Sequence, residues 1–93
     1  MIIRRVVGKS MEPKLVPGHL LLATRLFRHV HPGQVIVLKH DGKEKVKRVE
    51  RIDNDKFFVI GDNLPASTDS RHFGWITKDQ IIGRVFWPLH LSK

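Results

Sequence analysis

The stretch VIVLKHDGKEKVKRVERI, Val35 to Ile52, contains the strongest indication of the fold. Two strand-like runs flank Asp41-Gly42, and this dipeptide between such runs is a strong signal for a β-hairpin with a two-residue turn. The first run is apolar and β-branched, whereas the second is heavily charged. We therefore predict two paired antiparallel strands, Val35 to His40 and Lys43 to Ile52.

Further strand-like runs lie on both sides of this hairpin, and turn residues separate them. They are Ile2 to Val7, Leu20 to Arg25, Lys56 to Ile60 and Ile81 to Trp87. A single helical turn is expected at Thr77 to Gln80, with Thr77 as its N-cap. The pattern predicts an all-β protein, a small coiled antiparallel β-barrel with at most one short helical turn.

The size and composition of the chain predict one domain, residues 1–93. There is no cysteine, so neither a disulfide nor a thiol nucleophile is available. No apolar run approaches the roughly 20 residues that cross a bilayer. We expect a soluble, cytoplasmic protein, with peripheral membrane association as the alternative.

The chain is basic, with 17 Lys and Arg against 9 Asp and Glu and a net charge of +8. Such a balance favours an anionic partner, such as nucleic acid, a membrane surface or an acidic protein. We do not expect nucleic acid, because the basic residues form no dense run and no nucleic-acid-binding motif accompanies them. A non-catalytic nucleic-acid-binding module is nevertheless kept as the alternative to an enzyme.

Three aromatic residues near the end of the chain, Trp75, Phe86 and Trp87, have two interpretations. They could contact anionic lipid together with the basic surface. We expect them to pack in the core instead, because a small domain needs large apolar side chains there.

Ser10 lies in the segment GKSMEPKL, directly after the first strand-like run. Gly8 allows close approach of the backbone, and Pro13 stiffens the following turn. A serine hydroxyl is a poor nucleophile unless a base removes its proton. The spacing alone favours Ser10 as an ordinary turn residue, with a nucleophile as the alternative.

The candidate bases are lysines and histidines. Lys45 and Lys47 share one face of the charged strand, and the apolar positions beside them do not distinguish which is buried. An unperturbed lysine has a pKa of about 10.4, so a catalytic lysine needs burial without a carboxylate partner. His72, in a later loop, is another candidate base.

No metal or other cofactor is expected. His29 and His31 point to one side of an extended segment, but no third ligand is evident and Pro32-Gly33 follows at once. A solvated turn is therefore the preferred interpretation of these histidines.

The segment GDNLPASTDSRHFG, Gly61 to Gly74, is long, polar and without a period. Loops of this length in compact domains are often functional. Taken singly, its polar side chains are ordinary, although Asp69 and Arg71 are placed to form an ion pair.

Taken together, three segments resemble the motifs of type I signal peptidases. GKSMEPKL resembles the nucleophile motif, VKRV the lysine motif, and GDNLPASTDSRHFG the third motif of the family. Their order and spacing also agree, and the trailing IIGRVFWP is similar to the final strand. The resemblance covers nearly the whole chain, and it implies the coiled β-barrel of signal peptidases and SOS-repressor proteases.

This resemblance implies a serine endopeptidase with a Ser/Lys dyad. Ser10 is implied to be the nucleophile, Lys47 the general base, and Ser67 the hydroxyl that orients the lysine amine. Asp69 and Arg71 are implied to form a supporting ion pair, with Gly61 and Asp62 in a segment near the lysine. The residues implied to line shallow pockets for small substrate side chains are Val6, Met11 and Val46.

The implied substrate is a precursor protein, bound as an extended strand, from which an N-terminal leader or signal segment is removed. Family members commonly carry a membrane anchor and a larger inserted β-domain, and neither is found in this sequence. We therefore expect a minimal soluble member, resembling the proteases that mature nickel-type superoxide dismutase.

Overall fold

The computed structural model describes residues 1–91 as a seven-stranded antiparallel sheet. The strands are β1 (Ile2–Arg5), β2 (Leu20–Thr24), β3 (Val35–His40), β4 (Lys43–Asp53), β5 (Lys56–Ile60), β6 (Ile76–Thr77) and β7 (Ile81–Trp87). Their order across the sheet is β1-β2-β7-β3-β4-β5-β6. The all-β prediction is confirmed, and no helix within residues 1–91 is long and apolar enough to span a membrane.

Two tight hairpins set the register at the middle of the sheet. His40 pairs with Lys43, and the two residues between them, Asp41 and Gly42, have φ values of 53° and 74°. Asn54 and Asp55 join β4 to β5 with φ values of 47° and 64°. Such two-residue loops with positive φ match the twist of paired strands. The hairpin expected at Asp41-Gly42 is confirmed.

The sheet is open, so the expected barrel does not close. β1 and β6 lie at opposite edges, and no pairing joins them in the described part of the chain. The strand β6 has only two residues, both of which pair with β5. It is therefore too short to offer a further strand much pairing.

The strand β3 lies between two apolar clusters because its alternate residues point to opposite faces. Val35 and Val37 belong to a cluster with Ile2, Val6, Met11, Leu15, Leu21, Ala23 and Leu91. Ile36 and Leu38 belong to a second, with Val30, Val49, Phe57, Val59, Ile76 and Ile81. Burying each large aliphatic side chain contributes about 1.5–3 kcal/mol, so both clusters stabilise the central strands.

The described chain has more helical turns than the single one expected. The turn expected after Thr77 is present as a 3₁₀ turn, Lys78–Gln80, and the Thr77 N–H donates to Gln80 Oε1 over 2.9 Å. Other 3₁₀ turns are Leu64–Ala66 and Leu89–Leu91, and one α-helical turn, α1, is Ser70–Phe73. The turn α1 forms inside the long loop because Asp69 caps it, accepting from the Arg71 N–H over 3.1 Å.

The prediction that three late aromatic side chains pack in the core is wrong. Trp75, Phe86 and Trp87 are 39%, 42% and 46% exposed. Trp75 packs edge-on against Phe58 at the surface. Phe86 and Trp87 end β7, beyond the part of that strand that is buried between its neighbours.

Candidate active site

Ser10 lies in a turn that follows β1 and is anchored to the long loop. Its carbonyl accepts a hydrogen bond from the Asn63 N–H over 2.7 Å. The Asn63 side chain also donates to the Lys9 carbonyl over 3.0 Å. These two bonds hold the Ser10 backbone against residues more than fifty positions away in sequence.

Lys47 is the buried lysine of β4. Only 5% of its surface is exposed, whereas Lys45 is half-buried. Its Nζ donates to Ser67 Oγ over 3.0 Å. The pKa of Lys47 is lowered, chiefly because burial disfavours the charged ammonium. Asp69 opposes this shift by its negative charge, and Lys45 adds to it by its positive charge.

Ser67 connects the lysine to a buried carboxylate. The Ser67 hydroxyl donates to Asp69 Oδ2 over 2.7 Å. Because its one proton is used there, the same oxygen acts as acceptor toward Lys47 Nζ. Asp69 is fully buried and also accepts from Arg71 Nε over 2.9 Å and from the Gly61 N–H over 2.9 Å.

Asp69 is held in its charged form. Burial alone would raise the pKa of this carboxyl, but hydrogen bonds from Arg71, Ser67 and the Gly61 N–H outweigh burial and hold it well below its usual range. The Arg71 guanidinium therefore has a permanent counter-charge. Lys47, by contrast, contacts a neutral hydroxyl rather than a carboxylate.

Gly61 lies where the turn that contains Ser10 approaches Ser67, the hydrogen-bond partner of Lys47. A Cβ at this position would lie 2.3 Å from Ser67 Oγ and 2.6 Å from the Ser10 carbonyl oxygen. Only glycine allows both segments to approach so closely. The family resemblance implied that Gly61 lies in a segment near the lysine, but the close approach of Ser10 and Ser67 at this glycine is visible only in the structure.

Asp62 pairs with the residue that follows the lysine. It accepts from Arg48 Nε and Nη2, over 2.8 Å each. Arg48 is nearly fully buried and also donates to the carbonyls of Gly33 and Leu91, over 2.6 and 2.7 Å. This anchor was missed at the sequence level, because a single arginine in a charged strand gives no sign of burial.

A cavity of about 450 Å³ opens between β1 with its following turn, β4 and the long loop. Ser10 and Lys47 both line it. The three residues expected to contact substrate, Val6, Met11 and Val46, line it as well. Lys47 is held from outside the cavity lining by Ser67, which bonds to Asp69, and Asp69 in turn bonds to Arg71. Asp62 also lies outside the lining, paired with Arg48.

The histidines lie elsewhere. His72 Nδ1 accepts from the Asp69 N–H over 3.2 Å, and no histidine lines the cavity. The rings of His29 and His31 are 6.3 Å apart. Residues 1–91 contain no cluster of three metal-ligating side chains. Ser10 and Lys47 thus line one cavity, and no histidine lines it with them.

The fold and the cavity define a class: a small all-β protein that presents a serine hydroxyl and a desolvated lysine amine to one cleft. Residues 44–90 match the family described as signal peptidase, peptidase S26, and the chain belongs to this family.

Curated relatives agree with this assignment. The chain is 34% identical to the mitochondrial inner membrane protease subunit 1 of Xenopus tropicalis, over 88% of this chain and 66% of that protein. The human protein of the same name is 32% identical over 88% of this chain and 67% of its own length. Signal peptidase IB of Staphylococcus aureus is 52% identical, over 45% of this chain and 24% of that protein. The chain thus spans about two thirds of the protease subunits and about a quarter of the signal peptidase.

Proposed function

We propose that the protein is a serine endopeptidase that removes an N-terminal leader or signal segment from a precursor protein. Ser10 is the nucleophile and Lys47 the general base. The observation that carries this proposal is the shared cavity, which is lined both by a buried lysine with a lowered pKa and by a serine on an anchored turn.

In the first step, the neutral amine of Lys47 takes the Ser10 proton as Ser10 Oγ attacks the peptide carbonyl. The Ser10 N–H forms no hydrogen bond within residues 1–91, and it stabilises the oxyanion that develops. Lys47 then returns the proton to the leaving amine, which releases the new N-terminus and leaves an acyl-enzyme. Water, deprotonated by Lys47, hydrolyses the ester. General-base catalysis contributes typically 10²–10⁴-fold and an oxyanion donor about 10²–10³-fold.

The supporting residues keep the amine reactive. Ser67 orients Lys47 Nζ by accepting its hydrogen bond, and Asp69 fixes the Ser67 hydroxyl. Arg71 balances the charge of Asp69, so the carboxylate is less able to favour the ammonium form of Lys47.

The substrate lies extended between β1 and β4, with small side chains such as alanine at the first and third positions before the cleaved bond. Val6, Met11 and Val46 provide the apolar contacts. The precursor of nickel-type superoxide dismutase remains the specific candidate that the sequence resemblance suggests.

Incubation with candidate precursors tests the proposal. Ser10→Ala and Lys47→Ala should each reduce cleavage by about 10²-fold or more, while Lys43→Ala, outside the cavity, should retain it. Cleavage that survives both active-site substitutions would reject the dyad. The alternative, a basic nucleic-acid-binding module, predicts tight, salt-dependent DNA or RNA binding and no cleavage.

Peripheral association with an anionic membrane is proposed as an accompanying property. Ile3 pairs with Leu22, and Leu22 pairs with Trp87, so an apolar row crosses one face of three strands, with Ile3 and Trp87 exposed and Leu22 half-buried. Together with the net charge of +8, this row supports binding to anionic lipid. The protein should sediment with anionic vesicles at low salt. If it stays in the supernatant under these conditions, the proposal is contradicted. The cytoplasmic location stays a prediction.

A further inference from the structure

The wall of the cavity carries mostly positive charge. Besides Lys47, its charged lining residues are Arg4, Arg5, Lys9, Glu44 and Lys45, so four cations face one carboxylate. A cleft lined by one sign of charge concentrates ligands of the opposite sign.

The one carboxylate of this wall is already occupied. Arg4 binds Glu44 in a two-point contact, with Nε–Oε1 and Nη2–Oε2 distances of 2.7 and 3.0 Å. This ion pair joins β1 to β4, which are separated by three strands in the sheet. Glu44 therefore balances Arg4 and leaves the charge of its neighbour Lys45 uncompensated.

Lys45 lines the cavity, and its ammonium packs on an aromatic ring that lies outside the cavity lining. Its Nζ lies 4.6 Å from the centroid of the Phe73 ring. It forms no ion pair with any carboxylate of residues 1–91. Because Lys45 and Lys47 are two residues apart on one strand, they point to the same face about 7 Å apart.

We propose that Lys45 is a specificity-determining residue, which selects precursor segments with a carboxylate side chain at the second or fourth position before the cleaved bond. The inference rests on the proposed function. The apolar contacts for the leader side lie at Val6 and Val46, beside Lys45. Alternate side chains of an extended peptide point to opposite faces, as do Val46 and Lys45 on β4. When the first and third side chains before the cut contact Val46, the second and fourth therefore point to the face of Lys45.

The test uses three fluorescent peptides, each with alanine at the first and third positions before the cut. The second and fourth positions are both Glu in one peptide, both Gln in another and both Lys in the last. Binding is measured by fluorescence anisotropy with the Ser10→Ala variant, which removes cleavage. The Glu peptide should bind about fivefold more tightly than the Gln peptide, as for one partly desolvated ion pair, and the Lys peptide most weakly. Added salt should reduce the difference.

Substitutions at Lys45 should change this order. In the Ser10→Ala background, Lys45→Gln should abolish the preference and Lys45→Glu should reverse it. Lys43→Glu is the matched control, because it makes the same charge change on the same strand outside the cavity. An unchanged order in both Lys45 variants, an equal effect of Lys43→Glu, or no binding of any peptide would overturn the inference.

Cleavage by the unsubstituted protein separates this inference from the proposed function. If the three peptides are cleaved with equal kcat/KM and bind equally, the inference fails and the function stands. If none is cleaved while the binding preference and its reversal persist, the function fails and Lys45 still selects acidic segments.

Discussion

At the scale of single residues, the hydrogen-bonded series Lys47–Ser67–Asp69–Arg71 fixes the position of the Lys47 amine. A carboxylate in direct contact with Lys47 would favour the ammonium, which cannot act as a base. Ser67 separates the two groups and presents a neutral acceptor to the amine. Arg71 further balances Asp69. Burial can therefore lower the pKa of Lys47 while the amine keeps a fixed position.

The pH dependence of activity should follow Lys47. Because the proposed base is the neutral amine of Lys47, kcat/KM should rise with pH and reach a plateau once Lys47 is deprotonated, at a pH below the pKa of an ordinary lysine. Lys45→Gln removes a positive charge that lowers the pKa of Lys47, so the rise should move to higher pH. Lys43→Gln should leave the profile in place, and a shift in neither variant would contradict this role of Lys45.

Asp69 should stabilise the fold in a pH-dependent manner. Its pKa is lowered in the folded state, so its contribution is fully present above the unfolded value of about 3.8, decreases below it and is lost as the pH falls through the lower folded pKa. Asp69→Asn should cost about 3 kcal/mol at pH 7, because it leaves Arg71 and Ser67 without their charged acceptor. Urea denaturation at pH 7 and at pH 3 measures this cost. An equal cost at both values would show that charge is not the cause.

At the scale of elements, three segments meet around Gly61: the turn after β1, the strand β4 and the long loop. The hairpin from β3 to β4 was predictable, because Asp41-Gly42 adopts the positive φ values that a two-residue turn requires. The short helix α1 was not predicted, because its N-cap Asp69 is also held by the Gly61 N–H, eight residues earlier, which only the folded loop brings near.

Gly61→Ala should disturb the site more than the fold. The added Cβ would meet Ser67 Oγ and the Ser10 carbonyl at distances that no carbon tolerates, so one segment must move. We expect a loss of about 1–3 kcal/mol of stability and a fall in kcat beyond that explained by unfolding. Gly42→Asn is the control, since its turn has open space and Asn tolerates positive φ. Full activity in Gly61→Ala would contradict this account.

At the scale of the whole molecule, Arg48 ties together parts of the chain that are distant in sequence. It binds Asp62 in the long loop, the Gly33 carbonyl before β3 and the Leu91 carbonyl near the end of the described chain. Lys47 and Arg48 are adjacent, so they point to opposite faces of β4. One strand thus supplies both the candidate base and a structural anchor.

Arg48→Met should destabilise the protein by about 3 kcal/mol or more, because Asp62 loses a buried counter-charge and two carbonyls lose a donor. Thermal unfolding followed by circular dichroism measures the change. Arg51→Met, at an exposed position of the same strand, should cost less than about 1 kcal/mol. Similar melting temperatures for the two variants would show that burial of Arg48 is not decisive.

By itself, the sequence determined the strand-rich pattern, the tight hairpins and the three motifs, because turn dipeptides and β-branched runs act over a few neighbouring residues. Tertiary structure decided that the sheet stays open and that Arg48 is a buried anchor, and it showed the burial of Lys47, which the local pattern had left open. Burial of Lys47 depends on Ser67, twenty residues away, and the approach of Ser10 depends on Gly61, about fifty residues away. Such contacts form only when the sheet brings distant segments together, so no local pattern carries them.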